Sequence, residues 1–397
     1  MRVIIVGGGI GGLTTALCLA DRGHQIEVLE QAEATLEVGA GIQLSPNCTR
    51  VLIELGLEEA LAGVSVAPAE TVFRDWRSGR RIAGSVLGET ARSRFGAPYY
   101  HIHRGDLISL LQRAVDASPR ISRRQGVRVE DVHQDHGSAF AIAAGQSFEG
   151  DVIIGADGIH SLVRTSLWGR DSARFTGNVA WRFLVPAERL ADDAVTPTAT
   201  VWWGPGKHFV RYPVRRGELV NCVCVVEKEG WEVESWTERG TLNELREDFA
   251  GWHEAVTHLV ERVPEDAPFK WALFDRPAMK TWGRGRITLL GDACHPMLPF
   301  VAQGAAMAIE DGAVLADCLA TAGSVEAPEV TAALARYEVA RQARTAWVQR
   351  VSRRNATVFH LSGAAAVLRN LAAGVAGDRL ANRLYGYDVR SARGGMA

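Results

Sequence analysis

The chain opens on a continuous apolar run, Arg2-Val3-Ile4-Ile5-Val6. It is too short for a helix and does not alternate, so it predicts a strand buried on both faces. Gly7, Gly8, Gly9, Gly11 and Gly12 follow, and Leu13 to Arg22 then has helical spacing that stops near Gly23. Gln25 to Glu30 predicts a second strand. Together these make a βαβ unit and imply a parallel sheet. The spacing predicts further helices over 47–61, 106–116 (Leu107, Leu110 and Leu111 on one face), 241–263 and 304–320. It predicts short strands near 127–133 and 138–143, and buried ones at Val152-Ile153-Ile154 and Arg286 to Leu290. Residues 70–100 break into short segments rich in Gly, Pro and Arg. From about 175 to 275 aromatic and β-branched runs separated by Gly and Pro turns predict an antiparallel sheet. Residues 330–375 are helical in pattern, and the tail from Ser391 to Gly395 is expected to be disordered.

These patterns divide the chain. Residues 1–70, 101–174 and 275–330 form one discontinuous α/β domain. Residues 71–100 and 175–274 form a second, sheet-rich domain, and 331–397 a helical segment with its tail. The 397 residues are enough for two joined cores.

Composition adds mainly exclusions. Hydrophobic residues make up 47% and charged residues 23%, ordinary values for a globular protein. The net charge of -2 gives no global field to recruit nucleic acid or an anionic membrane. The Arg77, Arg80 and Arg81 run is expected to be a solvated loop. No apolar run is long enough to span a bilayer, and no secretory signal opens the chain, so no stable membrane association and a cytoplasmic location are expected. The six cysteines show neither metal spacing nor a CxxC pair. Cys222 and Cys224 share a strand face and are expected in the core.

Gly7, Gly9 and Gly12 fit G-x-G-x-x-G between strand and helix. In that setting the first glycine permits a tight turn, the second a close approach to pyrophosphate, and the third close helix–sheet packing. The helix N-terminus suits the anion, and Glu30, at the end of the second strand, is placed for a ribose hydroxyl. This fingerprint alone does not separate FAD from NAD. Two later strands end in Asp-bearing turns, Gly155-Ala156-Asp157-Gly158 and Gly291-Asp292. Ligands bind outside the carboxyl ends of such strands.

Taken together, these segments resemble the single-component FAD-dependent aromatic hydroxylases, over nearly the whole chain. The resemblance implies a p-hydroxybenzoate hydroxylase-like fold: a Rossmann-like FAD-binding domain, a mixed or antiparallel substrate-binding sheet, and C-terminal helices. It implies that the glycines and Glu30, with Gln31 beside it, bind the ADP half of FAD. Asp157, Gly158, Ser161 and Arg164 would serve FAD and NAD(P)H function. Gly291 and Asp292 would meet the ribityl chain, and Arg104 the phosphates. The loop from Pro299 to Ala306, including Gly304 and Ala305, would cradle the isoalloxazine ring. NADH or NADPH would be a transient co-substrate, with NADH favoured, and a flavin C4a-hydroperoxide would hydroxylate a phenolic ring.

The sub-family that looks closest holds the salicylate, 3-hydroxybenzoate and 6-hydroxynicotinate hydroxylases. The segments carrying this likeness are Gly39 to Asn47 and Gly204 to Pro213. Gln43 stands where hydroxynicotinate hydroxylases tend to carry histidine, which leans toward a hydroxybenzoate-type substrate. Pro299 stands where a 3-hydroxybenzoate 6-hydroxylase would offer glutamine.

Such chemistry needs a base near the substrate hydroxyl and a site closed to water. His208 and Tyr212, at i and i+4 on a strand, share a face and are the candidates. Pattern alone also fits a surface histidine and a packed tyrosine. Gln43 is a candidate to bond flavin or substrate, or to hold its loop. His101, His103 and His295 are expected to be structural. Arg50, Arg182 and Arg211 are candidates for a substrate carboxylate. Two other classes stay open: an FAD-dependent oxidase or reductase on the same fold, and a flavin-binding regulatory protein that sequesters a ligand. The helical segment 330–375 could serve a homodimer or cover the sheet.

Overall fold

The computed structural model describes residues 1–34, 40–170, 173–190, 195–228, 239–265 and 267–391. Gly39 and the tail beyond Ser391 lie outside them.

The opening run is strand Arg2–Val6, and its last four residues are buried. It pairs in parallel with Gln25–Leu29 on one side and Val152–Gly155 on the other. The sheet extends through Ile287–Leu289 at one side and Ile121–Arg124 at the other, with the two-residue strand Gly283–Arg284 antiparallel at the edge. Helix Ile10–Asp21 crosses between the first two strands and packs on helix Gly304–Ala320. The register places Val6, Gly155, Leu289 and Leu29 level with one another. The three glycine- and aspartate-bearing turns therefore leave the sheet side by side.

The second sheet has seven strands. Residues 174–186, 198–204, 207–214 and 219–227 give its centre, Phe269–Asp275 one edge, and Glu70–Asp75 with Arg81–Val86 the other. It is antiparallel except where 198–204 runs parallel to Glu70–Asp75. Alternation gives it two faces. Trp181, Phe183, Trp202, Phe209, Cys222 and Cys224 pack beneath helices Leu242–Asp248 and Glu254–Glu261. Ala180 and Val225, on the opposite face, pack against Leu298 and Phe300 of the loop that precedes helix Gly304–Ala320.

Two helices expected as single pieces are each broken in two. Gly56, at φ 77°, separates Pro46–Glu54 from Glu58–Val64. Gly251, at φ 76°, separates the pair over the second sheet. Glycine reaches this left-handed region without a Cβ clash, and so marks helix ends. The C-terminal pattern divides as well, into Ala327–Phe359 and Gly363–Tyr385 around His360. Among the described residues no helix is long and apolar enough to cross a membrane.

Candidate active site

The carboxyl edge of the parallel sheet is built of backbone. Gly7 sits at φ 110°, and a Cβ there would lie 2.4 Å from the Ala156 carbonyl oxygen. A Cβ on Gly12 would lie 2.0 Å from the Gly7 oxygen, so helix and turn touch only because both are glycine. At Gly9 a Cβ would meet nothing within 4 Å. That is the open ground where a pyrophosphate can approach the helix N-terminus. The Glu30 carboxylate is aimed by two backbone donors, Gly8 N at 2.7 Å and Ala32 N at 2.8 Å. Two of its four lone-pair sites remain for hydroxyl donors. Gln31 beside it is exposed.

Arg104 and Asp292 face each other across this edge. Solvent reaches both side chains, yet protein surrounds them closely. Desolvation lowers the Arg104 pKa against the pull of Asp292 and Glu30, and raises that of Asp292 against His295 and Arg104. Neither side chain has a hydrogen-bond or ion-pair partner among the described residues. A cation and an anion held unpartnered in one cleft suit a ligand with both phosphates and hydroxyls, and FAD fits that donor set.

Asp157 and Arg164 are differently employed. Asp157 accepts from Ser161 Oγ at 2.6 Å and Val163 N at 3.0 Å. Ser161 in turn caps helix Leu162–Trp168 by accepting from Arg164 N. The Arg164 guanidinium donates to the carbonyls of Ala293 and Ile159, both at 2.8 Å. These residues tie the Asp157-Gly158 turn to the Gly291-Asp292 turn through protein contacts. Gly158 takes φ 75° and Gly291 φ 63°. Pro299 opens a short turn to Val301, and Gly304 and Ala305 begin the following helix.

The second half of the site is built of side chains. His208 and Tyr212 lie on strand Lys207–Val214, on the face turned toward Phe300. The His208 ring is 5.3 Å from the Phe300 ring and 5.3 Å from Phe359. Its Nδ1 is 2.9 Å from His360 Nε2, and burial followed by His360 pushes its pKa well down. The Tyr212 ring packs tilted against His101 at 4.7 Å, and burial pushes its phenol pKa up. Gln43, in strand Gly41–Leu44, pairs with His101 and accepts from Tyr99 OH at 2.6 Å. Gly41 is required here: a Cβ would lie 2.7 Å from the Tyr212 ring, and its N–H bonds Asn221 Oδ1 at 2.6 Å.

The candidate arginines separate. Arg50 is spent on the carbonyls of Tyr387 and Phe95. Arg211 pairs with Cys222 in register and lies 6.0 Å from the Trp202 ring, on the helix-covered face. Arg182 is on the same face as Ala180, between the rows of His208 and Tyr212. Its Nε is buried without a hydrogen-bond partner, and its guanidinium rests 4.8 Å above Trp271. Burial lowers its pKa, with Tyr212 opposing.

A family described as an FAD binding domain matches residues 1–352. A 3-amino-4-hydroxybenzoate 2-monooxygenase of Streptomyces platensis is 40% identical over 360 residues, 91% of this chain and 89% of that protein. The chain belongs to the FAD-dependent aromatic hydroxylases. A 6-hydroxynicotinate 3-monooxygenase of Pseudomonas fluorescens is 37% identical, covering 89% of this chain and 91% of its own length. A solved salicylate hydroxylase substrate complex superposes with TM-score 0.83 at 26% identity, over 99% of this chain and 97% of that one.

This hydroxylase has a support that no motif announced. Asp311 Oδ2 is 2.6 Å from His295 Nε2 and accepts from Gly291 N at 3.1 Å, fixing the Gly291-Asp292 turn. Arg341 bridges Asp311 and Glu310, each at 2.7 Å, and all three are fully buried. Glu310 also accepts from Arg344 at 3.0 Å and Asn47 at 2.6 Å. Gln303 and Ser45 complete the chain of bonds. The long C-terminal helix thus locks the loop that precedes helix Gly304–Ala320. Gln349 and Ser352, further along it, bond the carbonyls of Pro296 and Leu298. His295 is buried and bonded to Asp311.

Proposed function

We propose that this hydroxylase inserts one oxygen atom of O2 into the ring of a phenolic aromatic acid of hydroxybenzoate type, with NADH or NADPH as reductant. One observation carries the reading. A buried guanidinium with a partnerless Nε, Arg182, shares a sheet face with His208 and Tyr212. A ring bearing a carboxylate and a hydroxyl answers both groups. The names of the two relatives describe such rings.

Bound FAD supplies the reduced ring that activates oxygen. The protein binds, orients and shields. Arg182 offers a planar fork to a carboxylate, a charge-assisted contact. His208 stays neutral because burial opposes its charged form, so it can accept the phenol proton. Tyr212 keeps its own proton and can donate a hydrogen bond to the bound ring's polar groups. Phe300 and Phe359 wall the histidine from water. Pyridine nucleotide supply makes the cytoplasm the setting, and six unpaired buried thiols suit it.

The test is NADH oxidation over a panel of hydroxybenzoates and hydroxypyridine carboxylates, with products identified by mass and NMR. Arg182→Met should raise KM for the carboxylated substrate by roughly 10–100-fold. It should leave binding of the parent phenol unchanged. An unchanged KM for the acid would remove Arg182 from the role.

A further inference from the structure

His208 does not stand alone in the wall of the site. Its Nδ1 is 2.9 Å from His360 Nε2, and His360 Nδ1 is 2.8 Å from Glu227 Oε1. The two histidine side chains are buried, while the Glu227 side chain is 55% exposed. A line of two hydrogen bonds therefore runs from the closed site to solvent. We propose that His208, His360 and Glu227 form a proton relay that carries the substrate's hydroxyl proton out of the site and returns it after hydroxylation.

The tautomers follow from the carboxylate end. Ionised Glu227 only accepts, so His360 donates to it through Nδ1–H. Neutral His360 then presents an unprotonated Nε2, which accepts from His208 Nδ1–H. Neutral His208 is left with its lone pair on Nε2, which has no protein partner among the described residues. When Nε2 takes the phenol proton, the Nδ1 proton of His208 passes to His360 Nε2. The Nδ1 proton of His360 passes to Glu227 Oε1 or to water beside it. No cation has to rest on the buried His208, where burial and His360 both disfavour it. Reprotonation of the product runs the same three transfers backward and restores every tautomer, so no ring has to turn.

The surroundings hold the line in place. The His360 carbonyl accepts from Gly206 N at 3.1 Å, in the turn just before His208, and Glu227 N donates to the Gly206 carbonyl at 2.8 Å. One turn thus anchors both ends of the relay. Phe300 and Phe359 pack on the His208 ring. The charged groups facing His360 are Glu227, which favours its cation, and Arg369, which opposes it. Arg369 is itself held by the carbonyls of Val358 and Phe359 at the end of the long helix. His360 and Glu227 are positioning residues that act through His208.

The inference rests on the phenolic-acid reading, and the experiment separates the two. FAD-loaded enzyme, without reductant, is mixed in a stopped-flow instrument, at a pH low enough that the free probe keeps its phenol proton, with 4-hydroxy-3-nitrobenzoate, whose phenolate is coloured. Wild type should bind the probe and form phenolate rapidly. Glu227→Gln keeps the hydrogen bond but cannot take the proton, and His360→Asn breaks the line. Both should slow phenolate formation at least about tenfold with an unchanged dissociation constant. His360→Gly should be slow and regain speed with added imidazole, which a purely structural role would not show. Unslowed phenolate formation in both Glu227→Gln and His360→Asn overturns the relay alone. A wild-type enzyme that binds neither this probe nor any phenolic acid overturns the reading beneath it.

Discussion

The carboxyl edge of the parallel sheet and the inner face of the second sheet are the two halves of the candidate site but are made by opposite means. The edge is backbone: Gly7, Gly9 and Gly12 leave room, and Glu30 is aimed by two N–H groups. The face is side chains: His208, Tyr212 and Arg182, set by strand register and closed over by Phe300. A backbone cradle recognises what all FAD molecules share. A side-chain face can change one residue at a time and so selects the ring. Binding and chemistry should therefore fail separately when each region is damaged.

The largest effect is expected on the face. His208→Ala should keep FAD bound and cut hydroxylation by about 10²–10⁴-fold, and Tyr212→Phe should cut it less. Quantified product against retained flavin absorbance checks this, and normal turnover in both variants would sink the assignment. The buried support comes next. Arg341→Met takes one buried cation from Glu310 and Asp311, leaving Glu310 to Arg344 and Asp311 to His295, at a cost of about 3–5 kcal/mol. Urea unfolding measures it, and a stability within about 1 kcal/mol of wild type would contradict the burial argument. Both regions depend on this network, so flavin retention should fall with it.

Damage confined to the edge should look different. Asp292→Ala should weaken FAD roughly 10–100-fold, seen as colour lost on purification. Added FAD should then restore hydroxylation, which distinguishes the edge from the face.

An effect absent at neutral pH is on acid stability. His101 packs against Tyr212 with both ring nitrogens unpartnered, and burial lowers its pKa from 6.5 to about 3. Burial also lowers His24, to about 4. Below their unfolded pKa the unfolded chain binds more protons than the folded one. Each group therefore costs stability as pH falls from about 6.5 toward its folded value, at up to about 1.4 kcal/mol per pH unit. His101→Phe should flatten that slope by one proton, read from unfolding midpoints between pH 6.5 and 4. An unchanged slope would show that His101 is charged in the fold.

The same contrast decides what could be read in advance. Glycine spacing is a local record of a backbone turn, so the edge was legible from Gly7, Gly9 and Gly12 and from two Asp-bearing turns. The i, i+4 spacing of His208 and Tyr212 gave their common face. It could not give the partners. His360 is 152 residues from His208 and falls in a helix break that periodicity smoothed over. Arg341 meets Asp311 across 30 residues, inside helices whose pattern records only apolar burial. Arg50, Arg182 and Arg211 looked alike until strand register put Arg211 on the helix-covered face and Arg182 on the other. The single helices expected at 47–61 and 241–263 were interrupted by Gly56 and Gly251, whose positive φ no apolar count detects.

The central claim is that the edge holds FAD so that the face can direct oxygen into an aromatic acid. Turnover under isotopically labelled dioxygen tests it most directly. The account predicts one labelled oxygen in the hydroxylated acid from wild type. It predicts NADH consumption without labelled product from His208→Ala. Substrate oxidised without label, or label incorporated equally by both proteins, would contradict it.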